Sequence, residues 1–411
     1  MTLTKLDSPT YSKEGLLLKL PAWLSNLLSG KEQHSNATFD RSLIVLGLTM
    51  YMVGLIMAAT SSMPVAERLF GNPFHFVTRH GIYILLSLAI AAVALQIPMS
   101  WWQKNSSYLL GFGIFLLIVV LLIGRSVNGS TRWIVLGPIT VQAAEPAKLF
   151  FFCYVAAYLV RRREQVMENL KGFIKPLVVF AILAGLLLLQ PDLGTVIVMF
   201  VTTFGLLFLA GAKLWQFLAM AFVGATSLGM LAYFEPYRWR RVTSFLDPWQ
   251  DPFGSGYQLT QSLMAYGRGE LFGQGLGNSI QKLEYLPEAH TDFVMAVLAE
   301  EFGFVGIALV LILSMILVFK ALMLGKRALA KEKYFEGFFA YAIGIWMCFQ
   351  AAVNIGASAG IVPTKGLTMP LISYGGSSMI VMTIALVILI RIDHEIRLQS
   401  IQATSTRKGS K

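Results

Sequence analysis

Long apolar runs separated by short polar connections recur along the whole chain after residue 40. A helix crossing about 30 Å of hydrocarbon needs about 20 mostly apolar residues. Ten segments approach that length: 43–59, 82–97, 108–124, 149–160, 177–189, 195–209, 217–232, 305–319, 338–353 and 379–390. The pattern predicts an all-α polytopic membrane protein with about ten transmembrane helices. The fourth segment is the weakest and is expected to begin earlier, near Gln142. Ahead of the first span, Leu16, Leu17, Leu20, Trp23, Leu24, Leu27 and Leu28 recur at helical spacing around Pro21, too short to span. They suit an interfacial helix or a loosely ordered tail.

One connection stands apart. Residues 234–291 far exceed the roughly 12–15 residues usual for a loop without structure of its own. Trp239, Trp249, Tyr257 and Tyr266 lie there among basic residues and glycines, so partial folding over the bundle is expected. The chain thus divides into an N-terminal tail (1–42), a membrane domain (43–390) that includes the loop 234–291, and a C-terminal tail (391–411).

Composition agrees with lipid as the main solvent: 56% of residues are hydrophobic and 13% charged, against about 25% charged in soluble domains. The net charge of +11 is mainly a topology signal. With the N-terminus in the cytoplasm, 22 of the 33 basic residues fall on the cytoplasmic side, led by Arg161, Arg162 and Arg163 in a short loop. Both termini are then cytoplasmic, and the loop 234–291 lies outside. No basic run coincides with a soluble module, so nucleic acid is not an expected partner, whereas membrane lipid is. Cys153 and Cys348 sit inside apolar runs and offer neither a disulfide framework nor a thiolate metal site. No cleavable secretory signal is expected, so the first span serves as the insertion signal.

Acid and base groups gather at the end of the long loop, in Glu284, Glu288, His290 and Asp292. From spacing alone, Thr291 or Asp292 could simply cap the eighth helix, and His290 could be an ordinary loop histidine. Glu145, Lys148, Asp192, Glu300, Glu301 and Lys365 lie within or beside spans, where ionisable groups pair internally or line a polar cavity. Glu145 and Lys148, three apart, can pair on one helix face, and Asp192 can cap a turn. Arg238, Arg240 and Arg241 offer planar donors suited to a diphosphate or to lipid headgroups. The glycines at 273, 275 and 277 lack the strand or Lys-Ser/Thr of a nucleotide loop and read as turns. Ser373 to Ser378 can permit close backbone approach, break the last helix, or serve small-residue packing.

In order, Gly129-Ser130-Thr131-Arg132-Trp133, Glu145-Pro146-Ala147-Lys148, Gln190-Pro191-Asp192-Leu193-Gly194-Thr195, Asp251-Pro252-Phe253-Gly254-Ser255-Gly256-Tyr257-Gln258, Pro287-Glu288-Ala289-His290-Thr291-Asp292-Phe293 and Pro363-Thr364-Lys365-Gly366-Leu367-Thr368-Met369-Pro370 resemble the SEDS family of shape, elongation, division and sporulation proteins. The resemblance covers nearly the whole chain after Asp40. The Lys365-Gly366 pair and the long N-terminus resemble the division branch more than the rod-elongation branch. It implies an enzyme of the inner membrane at the division septum that polymerises lipid II into glycan strands. The implied partners are a class B penicillin-binding protein transpeptidase and other division-machinery membrane proteins. Asp292 matches the family's essential aspartate and is the implied catalytic residue. Lys148, Glu145, Arg132, Arg238, Arg240, Arg241, His290 and Lys365 are the implied substrate-binding residues. No organic cofactor is expected; a divalent cation, magnesium or manganese, could share the leaving diphosphate with the arginines. Its protein ligands are not named by the sequence. Two departures stand out: proline follows Glu145, whereas relatives have a proline three residues earlier, and Val135 replaces an acid common in the family. A lipid II flippase, or a scaffold without catalysis, would also suit ten spans with interior charges.

Overall fold

The computed structural model describes residues 39–127, 130–136, 139–234, 243–363 and 366–409. The leucine-rich stretch 16–28, Arg238, Arg240, Arg241 and Lys365 lie outside them. Each of the ten expected apolar segments lies in or largely in a helix, 82–97 running past Ala94 and 108–124 past Ile123: α1 (Arg41–Phe70), α2 (His75–Ala94), α3 (Met99–Ile123), α4 (Ala144–Arg161), α6 (Leu170–Leu189), α7 (Leu193–Leu209), α8 (Leu214–Tyr233), α10 (Val294–Ala330), α11 (Tyr334–Ser358) and α12 (Gly376–Gly409). Two shorter helices, α5 (Arg163–Glu168) and α9 (Tyr257–Gly269), lie in connections. Seven helices are long and apolar enough to cross a membrane: α1, α2, α3, α6, α10, α11 and the first 26 residues of α12. Helix α7 is apolar but shorter. Large side chains such as Leu85, Leu122 and Leu309 stand exposed on these helices, as a lipid-facing surface requires.

The fourth segment was weak in sequence because it needs little lipid-facing apolarity. Helix α4 packs against α3, α6, α7, α11 and α12, and Phe151, Phe152, Cys153, Val155 and Leu159 are fully buried. Its start at Ala144 comes directly after a small sheet that the reading of the chain as helical did not foresee. Strands β1 (Arg125–Val127), β2 (Ser130–Leu136) and β3 (Ile139–Gln142) form an antiparallel meander in that order. Its sequence signal was present: short stretches rich in β-branched residues, Trp133-Ile134-Val135 and Ile139-Thr140-Val141, are punctuated by Asn128-Gly129 and Gly137-Pro138. Ser377, in the first turn of α12, pins β3 by donating to the Thr140 carbonyl (3.0 Å) and accepting from the Gln142 amide (2.9 Å).

From residue 243 onward the long loop is folded onto the bundle, as Trp249, Tyr257 and Tyr266 suggested. Helix α9 packs against α10 and α11. Two buried carboxylates fasten the segment between α9 and α10. Glu300 accepts from Arg268 Nη1 (2.6 Å), the Ile280 amide (2.9 Å), the Gln281 amide (3.2 Å) and the Ser279 hydroxyl. Glu301 accepts from Lys282 Nζ (2.7 Å) and Thr60 Oγ1 (2.6 Å), so one carboxylate ties the loop to both α10 and α1. Helix α10 breaks here at Gly303, with φ 66° and ψ −162°, a backbone shape only glycine adopts readily. The loop backbone fills the break: Gln274 and Gly275 amides donate to the Glu300 and Glu301 carbonyls, and Phe304 and Val305 amides donate to the Glu270 and Leu271 carbonyls.

Removing one member of a buried ion pair strands its partner, at a typical cost of about 3–5 kcal/mol. Lys282→Met should therefore lower the unfolding temperature of the detergent-solubilised protein sharply. Adding Glu301→Gln should restore most of it. Equal melting of the single and parent proteins would show that the Lys282–Glu301 pair does not fasten the loop.

Candidate active site

Helix α11 carries Trp346, Gln350, Asn354 and Ser358 at intervals of four, which places them along one face. All four are buried. Trp346 Nε1 donates to Gln350 Oε1 (2.8 Å), and Gln350 Nε2 donates to the Thr368 carbonyl (2.9 Å). Asn354 Nδ2 donates to two carbonyls, those of Leu367 (2.6 Å) and Asp292 (2.9 Å). Ser358 Oγ meets the Tyr266 hydroxyl (2.9 Å), and its carbonyl accepts from Ser262 Oγ (2.6 Å). One helix face thus seats three pieces of chain: the extended segment 366–369, the residues ahead of α10, and α9. Their sequence signal is a ladder of period four, Trp346, Gln350, Asn354 and Ser358, inside an otherwise apolar span, with no acid or base among them.

Asp292 lies two residues ahead of α10, and the cap position of that helix is Phe293. Thr291 turns to Glu288 instead, donating to Oε2 (2.8 Å). The capping role open to Thr291 and Asp292 in the sequence is therefore not the one they take. The Asp292 carboxylate approaches Gly366 closely, because a Cβ placed on that glycine would lie 3.1 Å from Asp292 Oδ2 and 3.9 Å from Arg132 Nη1. Carboxylate and guanidinium therefore flank the same α-carbon. Arg132 reaches there from β2, donating through Nε to the Gln190 carbonyl (3.1 Å) and through Nη2 to the Pro191 carbonyl. Gln190 in turn donates to the Leu117 carbonyl (3.1 Å). Asp192 does cap a helix: its carboxylate accepts from the Thr195 amide (3.3 Å) and hydroxyl (2.8 Å) at the start of α7.

The other expected site residues divide. Lys148 and Glu145 pair at 2.9 Å in the fully protein-enclosed first turns of α4. Lys148 Nζ also donates to Gln350 Oε1 (3.2 Å) and lies 5.1 Å from the Trp346 ring centre. The pair therefore connects to the site through Gln350 and the Thr368 carbonyl, not by meeting Asp292. His290 packs on Phe76 and Tyr374, with ring centres 4.9 and 5.6 Å away, and its carbonyl accepts from the Tyr374 amide (3.1 Å). Burial pushes the His290 pKa below its usual value, partly opposed by Glu288. Arg238, Arg240, Arg241 and Lys365 lie outside the described residues.

Among the described residues no three His, Cys, Asp or Glu side chains gather as a metal site, and the second charged group near the Cβ position of Gly366, beside Asp292, is itself a cation. What the arrangement offers is a carboxylate and a guanidinium at the mouth of four interhelical connections: α3 to α4, α6 to α7, the long loop to α10, and α11 to α12. Two of the ten helices that hold the apolar segments lie between each of these connections and the next.

Residues 40–398 match the family of cell cycle proteins that comprises FtsW, RodA and SpoVE. A Pseudoalteromonas atlantica protein named probable peptidoglycan glycosyltransferase FtsW is 65% identical over 365 residues, 89% of this chain and 75% of that one. The protein of the same name from Escherichia coli O6:H1 is 51% identical over 410 residues, 98% of each chain. A solved structure of a peptidoglycan synthase complex, described as coordinating polymerization and crosslinking, aligns with TM-score 0.73 at 27% identity, over 87% of this chain and 98% of its own. The Thermus thermophilus rod shape determining protein RodA aligns at 0.64 and 27% identity, over 87% and 97%.

The depressed pKa of His290 carries a sign. The unfolded chain takes up a proton near pH 6.5, whereas the folded histidine does so only at lower pH. Its contribution is complete above pH 6.5 and is lost as pH falls towards the folded pKa. Melting curves should show wild type losing more stability than His290→Phe between pH 7 and mildly acid pH. Parallel slopes for the two proteins would contradict the burial of a neutral ring.

Proposed function

Because the chain belongs to the FtsW, RodA and SpoVE family of cell cycle proteins, we infer that it is a peptidoglycan glycosyltransferase that polymerises lipid II with inversion, Asp292 being the base. The observation that carries this reading is the convergence of the Asp292 carboxylate and the Arg132 guanidinium on Gly366. In the reaction an acceptor sugar hydroxyl attacks the anomeric carbon of the donor, and the bond from that carbon to the lipid diphosphate breaks. The hydroxyl proton passes to the Asp292 carboxylate, and the bond electrons leave with the diphosphate. An α-linked donor and a β-linked product require one inversion, so a single base suffices and no second carboxylate acts as nucleophile. Arg132 Nη1, beside Gly366, is placed to meet phosphate oxygens as their charge grows. Arg238, Arg240, Arg241, Lys365 or a cation carried by the diphosphate would share that charge.

The proposed setting is the inner membrane at the division septum, with both termini in the cytoplasm and the loop 234–291 in the periplasm. The proposed partners are a class B penicillin-binding protein and further division-machinery membrane proteins. The likeness to a peptidoglycan synthase complex supports the first of these. A flippase would place its substrate charges near the membrane midplane. Here the reactive pair belongs to connections at helix ends, which favours polymerisation.

Asp292→Asn should insert and bind its partner normally but lose about 10²–10⁴-fold in the rate of glycan synthesis from purified lipid II. Substantial polymerisation by this variant, in membranes free of other polymerases, would remove Asp292 from the chemistry. For the topology, Ser255 is exposed in the long loop. A cysteine introduced there should react with membrane-impermeant maleimide added to intact spheroplasts. Reaction only after lysis would invert the proposed orientation.

A further inference from the structure

We propose that Asn354 is the positioning residue for Asp292, holding its carboxylate against Gly366 through a clamp on two backbone carbonyls. This rests on the reading of Asp292 as base. Asn354 is almost fully buried near the C-terminal end of α11, and its Nδ2 spends both hydrogens across a gap in the chain, on the carbonyls of Asp292 (2.9 Å) and Leu367 (2.6 Å). Those two residues flank the reacting pair: one bears the carboxylate, and the other comes directly after Gly366, whose α-carbon the carboxylate faces. A single carboxamide therefore sets the separation of two segments far apart in sequence. An amide is the group the geometry calls for. Both acceptors are carbonyls, so the clamp needs two donors on one atom, which the NH₂ of asparagine supplies and aspartate, serine or histidine does not.

The segments have other supports. Gln350 holds Thr368, Ser373 holds Met369, and the Tyr374 amide holds the His290 carbonyl. Loss of Asn354 should therefore leave the bundle folded while releasing the register between Asp292 and Gly366. A misplacement of about 1 Å in a reacting group can cost about 10²-fold in rate. Asn354→Ala and the isosteric Asn354→Asp should each lower lipid II turnover by about that factor, with KM for lipid II little changed. Chain shape alone would predict that Asn354→Asp, nearly identical in volume, retains activity.

Two further measurements separate positioning from general damage. In the Asp292→Asn background, adding Asn354→Ala should cost no further turnover, whereas an independent structural role predicts an additional loss of the full factor. Without reference to catalysis, Asp292→Cys with Gly366→Cys, in a chain also carrying Cys153→Ala and Cys348→Ala, should form a disulfide readily under mild oxidation. Asn354→Ala should slow that cross-link. An unchanged cross-linking rate would overturn the clamp whatever Asp292 does. Full polymerisation by Asp292→Asn would overturn the base assignment instead, and the cross-link would still report on the clamp.

Discussion

Lipid offers no partner to a bare carbonyl, so any stretch of chain that leaves the helical state within a membrane protein must have its backbone satisfied by protein. The architecture depends on that constraint. The extended segment 366–369 and the residues ahead of α10 carry carbonyls that no helix ladder serves, and the polar face of α11 serves them. Gln350 and Asn354 convert a would-be energetic penalty of a few kcal/mol per orphan carbonyl into a fixed place for Asp292, Gly366 and Thr368. The same face reaches back through Trp346 and Gln350 to the buried Lys148–Glu145 pair and forward through Ser358 to the long loop.

Charge inside the bundle obeys a common rule. Lys148 meets Glu145, Arg268 meets Glu300 and Lys282 meets Glu301, each at hydrogen-bond distance. The first pair lies within one turn of α4, whereas the other two join α9 and the segment after it to α10; such polar contacts matter because apolar packing within lipid specifies register poorly. The glutamates of α10 are the clearest instance, because they select which part of a long loop lies in the break at Gly303.

Much of this was legible in the chain itself. Apolar runs located ten helices, and the long loop announced its own folding through its aromatic residues. Asp192 and the Glu145–Lys148 pair took the local roles that their spacing allowed. The parts that stayed hidden are those set by partners distant in sequence. Asp292 read as a cap because the helix after it begins within two residues, and only the fold shows Phe293 in that position. Gln350 and Asn354 resemble ordinary polar substitutions until the carbonyls they serve are brought to them. The sheet at 125–142 was overlooked because its strands are short and sit between two strongly apolar segments, where the helical period dominates any count.

The loop that fills the break in α10 also orders the events of synthesis. Arg268 and Lys282 leave the ribosome before Glu300 and Glu301, and Thr60 leaves long before any of them. When the two adjacent carboxylates arrive at the membrane, every donor that will neutralise them has already been made. A translocon handling the segment from Val294 onward therefore never needs to release two unpaired carboxylates into lipid. It needs only to hold them until the finished loop folds back onto α10.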